Sequence, residues 1–302
     1  MIDYCRVLNT DMEVERFVDG VLCISGKIEK RSAINKICSA ERNISSYSYF
    51  PTLTHRDNRD FEWREDSVRF ELRNTIINEL FTLKRMAVDD DICLGVGGAA
   101  PNSQVMCERK VFCLIGPPAS GKSCVASKVA ELYGAFILDS DYAKRKLPEY
   151  TNQIGAASLV HDESSDLVYN LNKDSLMYRC VQNGSNMVVP KIGDDFEKLL
   201  SFVQLLTSAN FFVYLISIEL DRQKSAMRAY ERFDKTGRYV PLSLIFDKYG
   251  NQPTLNYFKM KQKYSNMFSG FAQISTDVPR YSPFVLVEQE NMKELTSIVW
   301  KE

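Results

Sequence analysis

Residues 114–126, "LIGPPASGKSCVA", decide the fold. Within them, Gly116 to Ser123 fits G-x-x-x-x-G-K-[ST], a pattern that binds phosphate where a buried strand leads through a loop into a helix. The apolar run 111–115 precedes it, and helical periodicity follows over 122–133. The sequence therefore predicts a strand, a phosphate-binding loop and a helix in this order.

The residue types in the loop suit a nucleoside triphosphate. Backbone N–H groups from about Ala119 to Ser123 can form an anion-binding nest at a helix N-terminus. Lys122 can reach the β- and γ-phosphates, and the Ser123 hydroxyl can hold Mg²⁺. We predict binding of ATP and Mg²⁺ by Gly116, Pro117, Pro118, Ala119, Ser120, Gly121, Lys122, Ser123 and Cys124.

Composition excludes several classes of protein. The 302 residues carry a net charge of -1, which lacks the basic excess of a nucleic-acid-binding protein. Apolar runs such as 211–218 are too short to cross a bilayer. The eight cysteines form no C-x-x-C pair, and the two histidines lie apart from them, so we expect free thiols and no zinc site. We expect a cytoplasmic protein, with a secreted effector as the alternative.

Elements after residue 111 alternate between short apolar runs and helical periodicity. Alternation of this kind predicts a P-loop NTPase fold, with a parallel sheet in a three-layer α/β/α sandwich. Further strands are predicted at 135–138, 187–189, 211–218 and 283–287, and further helices at 161–182, 194–206, 221–234 and 292–299.

The first hundred residues have a different pattern. They predict a mainly helical region, 1–100, in which 67–86 is the clearest helix, ahead of a kinase-sized domain at 101–302. Small residues at 95–104 suggest the boundary. The region is open to three interpretations: an extra helical layer, an attached inhibitory module, or a partner-binding domain.

Two acidic residues and two arginines supply candidate chemistry. Asp139 and Asp141 follow the second strand, where one can help hold Mg²⁺ and the other can accept a proton. The alternative is that they cap the next helix. Arg228 and Arg238 lie in a basic segment that suits a lid over phosphates, or else an ordinary solvated helix face.

Five segments in order resemble the zeta-toxin family of P-loop kinases, over about half of the chain. They are "GPPASGKS", "LDSDYAKRKLPEY", "LVHDESSD", "NMVVPKIG" and "MRAYERFDKTGRYVP". The resemblance implies an ATP-dependent kinase in which Asp141 is the catalytic base. Lys122 and Ser123 then act on ATP and Mg²⁺, while Arg228 and Arg238 brace the phosphates.

The same resemblance implies residues for the metal and the acceptor. Ser123 and Asp139 correspond to metal-binding positions, and the acceptor contacts would be Asp139, His161, Glu163 and Ser164. His161 has a purely structural role as its alternative. The best-known acceptor in the family is UDP-N-acetylglucosamine, and some relatives phosphorylate NAD instead.

One departure from the family concerns the acceptor. Pro190 and Lys191 stand where several members have an acidic residue and a glycine. The hypotheses are therefore a kinase of a nucleotide-linked sugar, probed first with UDP-N-acetylglucosamine, a kinase of NAD or another nucleotide, and a nucleotide-gated switch that binds a protein. A toxin role with an antitoxin partner is implied by the resemblance alone.

Overall fold

A computed structural model describes residues 5–47, 50–151, 156–279, 282–298 and 300–301. Its centre is a sheet made of β1 Lys110–Ile115, β2 Phe136–Ile137, β3 Met187–Lys191, β4 Phe212–Glu219, β5 Gly270–Ser275, β6 Val285–Glu290 and β7 Trp300–Lys301. The spatial order is β2-β3-β1-β4-β5-β6-β7. The carboxyl ends of β2, β3 and β1 therefore lie side by side at one edge, because these strands are parallel.

Helices flank this sheet. They are α1 Asp11–Phe17, α2 Lys27–Tyr47, α3 Asp66–Thr82, α4 Lys122–Tyr133, α5 Ser140–Lys146, α6 Ala156–Leu159, α7 His161–Tyr169, α8 Leu176–Asn183, α9 Phe196–Ser208, α10 Arg222–Thr236 and α11 Gln252–Lys263. Helix α4 packs on β1, β2 and β3, while α9 and α11 pack on β4. The predicted P-loop NTPase fold is confirmed. In the part of the chain described, no helix is long and apolar enough to cross a membrane.

The sheet is not wholly parallel. Strand β6 runs antiparallel to β5, and β7 pairs with β6 at the edge of the sheet. Strand β5 and helix α11 occupy a part of the chain for which the sequence predicted no element. The short β5 contains a glycine and Gln273, so it lacks the continuous apolar run that identifies a buried strand.

Helix boundaries differ from the predictions where polar caps intervene. The predicted helix 161–182 is two helices, because Asn170 is extended and the Ser175 side chain caps α8 by accepting from the Tyr178 N–H. Helix α9 is capped by Asp195 rather than Asp194. The predicted last helix, 292–299, is a 3₁₀ turn at Lys293–Ser297, and Val299 lies outside the described residues.

The predicted boundary near residue 100 does not divide the hydrophobic core. Leu72, Ile76 and Leu80 of α3 are buried in the same cluster as β1 and β3. A second cluster joins apolar residues of α1 and α2 to Ala226 and Phe233 of α10. The described helices of region 1–100 therefore share hydrophobic cores with the sheet and with α10.

A buried ionic network fixes α3 to α7. The Arg69 guanidinium donates to Glu149 Oε1 at 2.8 Å and to Glu163 Oε2 at 2.6 Å. The Thr52 hydroxyl donates to the same Glu163 oxygen at 2.7 Å. The side chains of Arg69, Glu149 and Glu163 are almost fully buried, so each charge depends on its partners for compensation.

Replacing Arg69 tests this dependence. We expect Arg69→Met to lower the free energy of unfolding by about 3–5 kcal/mol, because Glu149 stays buried without a cation and Glu163 keeps only Arg73, at 3.2 Å. The matched control is Arg56→Met, which removes an exposed pair with Glu65 and should cost no more than about 1 kcal/mol. Denaturant unfolding measures both variants, and equal losses would contradict the account.

Candidate functional site

The phosphate-binding loop has the backbone of an anion nest. Ala119 and Gly121 have positive φ angles, 61° and 84°, on either side of Ser120. Among described residues, the N–H groups of Gly121, Lys122 and Ser123 meet no acceptor. Free N–H groups at the start of α4 therefore remain available for an anion.

Distant parts of the chain hold this loop in place. The Ser225 hydroxyl of α10 donates to the Pro118 carbonyl at 2.5 Å, and the Thr276 hydroxyl after β5 donates to the Ser120 carbonyl at 2.6 Å. Gly116 lies so close to β4 that a Cβ atom would stand 2.6 Å from the Ile218 carbonyl oxygen. The sequence analysis missed Ser225 and Thr276, since no local pattern connects them to the loop.

Lys122 turns back onto its own loop. Its Nζ donates to the carbonyls of Gly116 at 2.7 Å and Pro117 at 2.5 Å. Burial lowers the pKa of Lys122 to about 7, which Asp139 opposes and the charge of Arg232 reinforces. The ammonium is thus held by neutral carbonyl oxygens at a position where a phosphate would supply a full counter-charge.

The two aspartates after β2 have separate contacts. Asp139 caps α5 by accepting from the Asp141 N–H at 2.9 Å, as the alternative interpretation expected. Burial raises the pKa of Asp139, while Arg238 and Lys144 act against this rise. Asp141 accepts from Lys144 Nζ at 3.0 Å and from the Arg238 guanidinium.

The two arginines predicted to form a lid contact Thr276, which holds the loop, and Asp141. Arg228 donates to the Thr276 carbonyl at 3.0 Å, and the Thr276 hydroxyl in turn donates to Ser120 of the phosphate-binding loop. Arg238 follows Gly237, whose φ of 72° ends α10. Arg232 was not among the predicted site residues, yet burial lowers its pKa and its Nε has no hydrogen-bond partner among described residues.

Helix α5 adds cations that the sequence analysis did not assign to the site. Lys144 and Arg145 are buried. The Arg145 guanidinium donates to the Asp141 carbonyl at 3.1 Å and to Asp90 at 2.7 Å. The sequence of α5 did not indicate that Lys144 and Arg145 are buried. Their burial depends on the loop around Asp90, which packs over the helix.

A cavity of about 490 Å³ opens beside Asp139 at the carboxyl ends of β2 and β3. Its walls include His161 and Tyr169 of α7, Lys191 of β3 and Phe202 of α9. Desolvation within the cavity and the Lys144 charge lower the pKa of His161, despite the opposing charge of Asp162. His161 is therefore a neutral side chain facing the cavity at neutral pH.

Two predicted acceptor residues do not line this cavity. Glu163 is fully buried, with its carboxylate held by Arg69 and Thr52. Ser164 is also buried and donates to the His161 carbonyl at 2.7 Å. Both residues face the interior of the helical layer, so the structure gives them a packing role in place of the predicted acceptor contacts.

Comparisons with known proteins bear on this arrangement. The AAA domain profile matches residues 111–245. A solved structure of the PezAT chromosomal toxin–antitoxin system of Streptococcus pneumoniae is similar over 81% of this chain and 91% of that chain, at 14% identity and a TM-score of 0.54. No curated protein sequence matches.

The chain has a P-loop NTPase fold. The resemblance to zeta-toxin-like P-loop kinases is confirmed at the level of the fold. The crystal structure of the AvrRxo1-ORF1:-ORF2 complex covers 82% of this chain and 75% of that chain, at 18% identity and a TM-score of 0.47. Because that score lies below 0.5, we base the fold assignment on the PezAT structure and the AAA profile.

The lowered pKa of Lys122 predicts proton uptake on nucleotide binding. Bound phosphates stabilise the charged form of Lys122 and raise its pKa. At a pH between the Lys122 pKa of the free protein and that of the complex, the complex therefore holds more protons. We expect uptake of close to one proton per bound ATP at about pH 8.5, and little at about pH 6 where Lys122 is already charged. Calorimetry in buffers with different ionisation enthalpies measures this number.

Lys122→Arg is the matched control, because arginine stays charged at every accessible pH. It should bind ATP without this uptake. Binding by the unchanged protein at about pH 8.5 with no dependence on buffer ionisation would contradict the lowered pKa.

Proposed function

We propose that the protein is an ATP-dependent kinase that phosphorylates a hydroxyl of a nucleotide-linked acceptor, with UDP-N-acetylglucosamine as the first candidate and NAD as the second. One observation carries the proposal: Asp139 lines the cavity with Lys191, and its charge acts on one lysine in the loop and one in the cavity. These lysines are Lys122 in the phosphate-binding loop and Lys191 in the cavity. A donor at the loop and an acceptor in the cavity would therefore meet beside Asp139 and Asp141.

The proposed transfer is a single displacement. The acceptor hydroxyl oxygen forms a bond to the γ-phosphorus while the bond to the β-phosphate oxygen breaks, and ADP leaves. Asp141 takes the hydroxyl proton. Lys122, Arg228 and Arg238 neutralise charge on the phosphate oxygens, which is the largest part of catalysis in reactions of this class.

The ion pair between Asp141 and Arg238 has a role in this proposal. The pair neutralises both groups in the structure. An incoming γ-phosphate competes for Arg238, and release of Arg238 leaves Asp141 free to accept a proton. Binding of the donor would thus prepare the base, although Lys144 stays at 3.0 Å from Asp141.

Mg²⁺ fits the polar groups at this edge. Ser123 is exposed at the start of α4, and the Asp139 carboxylate uses one oxygen for the helix cap. Among the described residues, no group of three or more His, Cys, Asp or Glu side chains could hold a metal alone. Ser123 and Asp139 would therefore share the ion with phosphate oxygens, and it would neutralise charge on the β- and γ-phosphates.

A phosphate-transfer assay tests the proposal and separates its acceptors. Purified protein, γ-labelled ATP and Mg²⁺ are incubated with UDP-N-acetylglucosamine or NAD, with Lys122→Ala as the blank. Label on either acceptor, absent from the blank, supports the kinase and identifies the acceptor. ATP hydrolysis that needs a protein partner, with label on neither acceptor, would favour the nucleotide-gated switch.

The biological setting is also proposed. The PezAT structure belongs to a toxin–antitoxin system, so a toxin role and an antitoxin partner are candidates for this protein. We place the reaction in the cytoplasm, where ATP is the common phosphate donor. Toxicity is tested by expressing the active protein and Lys122→Ala in separate cultures of a bacterial host. Growth should be inhibited by the active protein and not by Lys122→Ala.

Asp141→Asn tests the base. We expect kcat for transfer to fall by about 10²–10⁴-fold, because asparagine cannot accept the proton, while ATP affinity is kept or rises because Arg238 loses its competing ion pair. The control Asp57→Asn removes an exposed carboxylate from the short helix Arg56–Asn58 and should keep full activity. Ordinary turnover by a folded, ATP-binding Asp141→Asn protein would rule out Asp141 as the base.

A further inference from the structure

Lys191 is the enclosed cation of the acceptor cavity. It ends β3, and its register partner is Ile115, the last residue before the phosphate-binding loop. Its Nζ lies 3.3 Å from the centroid of the Tyr169 ring and 5.4 Å from that of Phe202. The Tyr169 hydroxyl donates to the Leu138 carbonyl at 2.6 Å, so the ring beneath the ammonium is fixed.

No carboxylate within the described residues lies at ion-pair distance from this ammonium, whose recorded contacts are aromatic faces. Burial lowers the pKa of Lys191 to about 8, although Cys113 and Asp139 oppose the change. A partly buried cation with only aromatic contacts is left with an uncompensated charge. An anion brought into the cavity would supply that compensation.

The other charged groups on the cavity wall are Asp139, Asp194, Asp195 and Lys198. Asp195 caps α9 through the Lys198 N–H and also lies 3.5 Å from Lys198 Nζ. The Lys198 side chain is 87% exposed, so it stays hydrated. Asp139 caps the N-terminus of α5 by accepting from the Asp141 N–H. Lys191 is therefore the cation of this wall that is held by aromatic faces and not by hydration or an ion pair among the described residues.

We propose that Lys191 binds an anionic group of the acceptor, so that the substrates are hydroxyl compounds carrying phosphate or carboxylate and not neutral sugars or nucleosides. That the bound anion belongs to the acceptor rests on the proposed kinase function. A cavity of about 490 Å³ is within the range that encloses a nucleotide-sized ligand. The aromatic faces of Tyr169 and Phe202 keep the ammonium directed into it.

Direct binding tests the subsite without requiring transfer. The loop is first saturated with β,γ-imido-ATP and Mg²⁺, and the protein is then titrated with UDP, uridine or gluconate. We expect the unchanged protein to bind UDP or gluconate, which distinguishes phosphate from carboxylate, and to bind uridine much more weakly. Lys191→Met should weaken binding of the preferred anion at least tenfold and leave uridine unchanged.

Two further variants complete the design. Lys128→Met is the matched control, because Lys128 is exposed and stacks on Phe284 with Nζ 5.0 Å from the ring centroid. It should bind the anion as the unchanged protein does. Lys191→Arg keeps the charge and should restore most of the affinity, which separates loss of charge from loss of packing.

Three outcomes would overturn the inference. The first is binding of the anion by Lys191→Met at full affinity. The second is an equal loss of affinity for β,γ-imido-ATP in Lys191→Met, which would assign Lys191 to the donor site. The third is failure of the unchanged protein to bind UDP or gluconate. If anion binding depends on Lys191 but no phosphate is transferred, the anion subsite stands and the kinase proposal fails.

Discussion

A concentration of positive charge at the carboxyl edge of the sheet governs this site. Lys122, Arg232 and Lys191 each have a lowered pKa because burial removes water from the cation. Asp139 acts on Lys122 and Lys191, and Asp90 acts on Arg232. Asp90 and Asp141 are themselves already paired with other cations. Such an excess is costly unless a polyanion compensates it. The contacts of Lys122 with two carbonyl oxygens and of Lys191 with two rings are both partial substitutes for an anion.

The N-terminal layers are part of this arrangement. Helix α3 carries Arg69, whose ion pairs hold α7, and α7 supplies the His161 and Tyr169 walls of the acceptor cavity. The second core places α1 and α2 against α10, which carries Arg228. Lys36 and Asp234 add a 2.5 Å ion pair between α2 and α10. The region that the sequence separated from the P-loop domain thus supports both the cavity wall formed by α7 and helix α10.

The sequence predicted what local patterns encode. The phosphate-binding loop and the bounds of α4 follow from glycine positions and apolar periodicity, and both aspartates lie where the end of β2 predicted. Lys191, Ser225 and Thr276 could not be assigned from local patterns, because their contacts join segments far apart in the chain. The burial of Glu163 could not be predicted for the same reason, since its partner Arg69 lies in a region whose packing the sequence did not reveal. Local chemistry was predictable, whereas pairing across the core was not.

The central claim is that a triphosphate replaces these partial substitutes as the counter-charge of the site. A crystal structure with β,γ-imido-ATP and Mg²⁺ tests it most directly. The account predicts that Lys122 Nζ leaves the carbonyls of Gly116 and Pro117 for the β- and γ-phosphates, and that Arg238 leaves Asp141 for the γ-phosphate. Nucleotide bound elsewhere, or bound at the loop with Lys122 still on its carbonyls and Arg238 still on Asp141, would contradict the account.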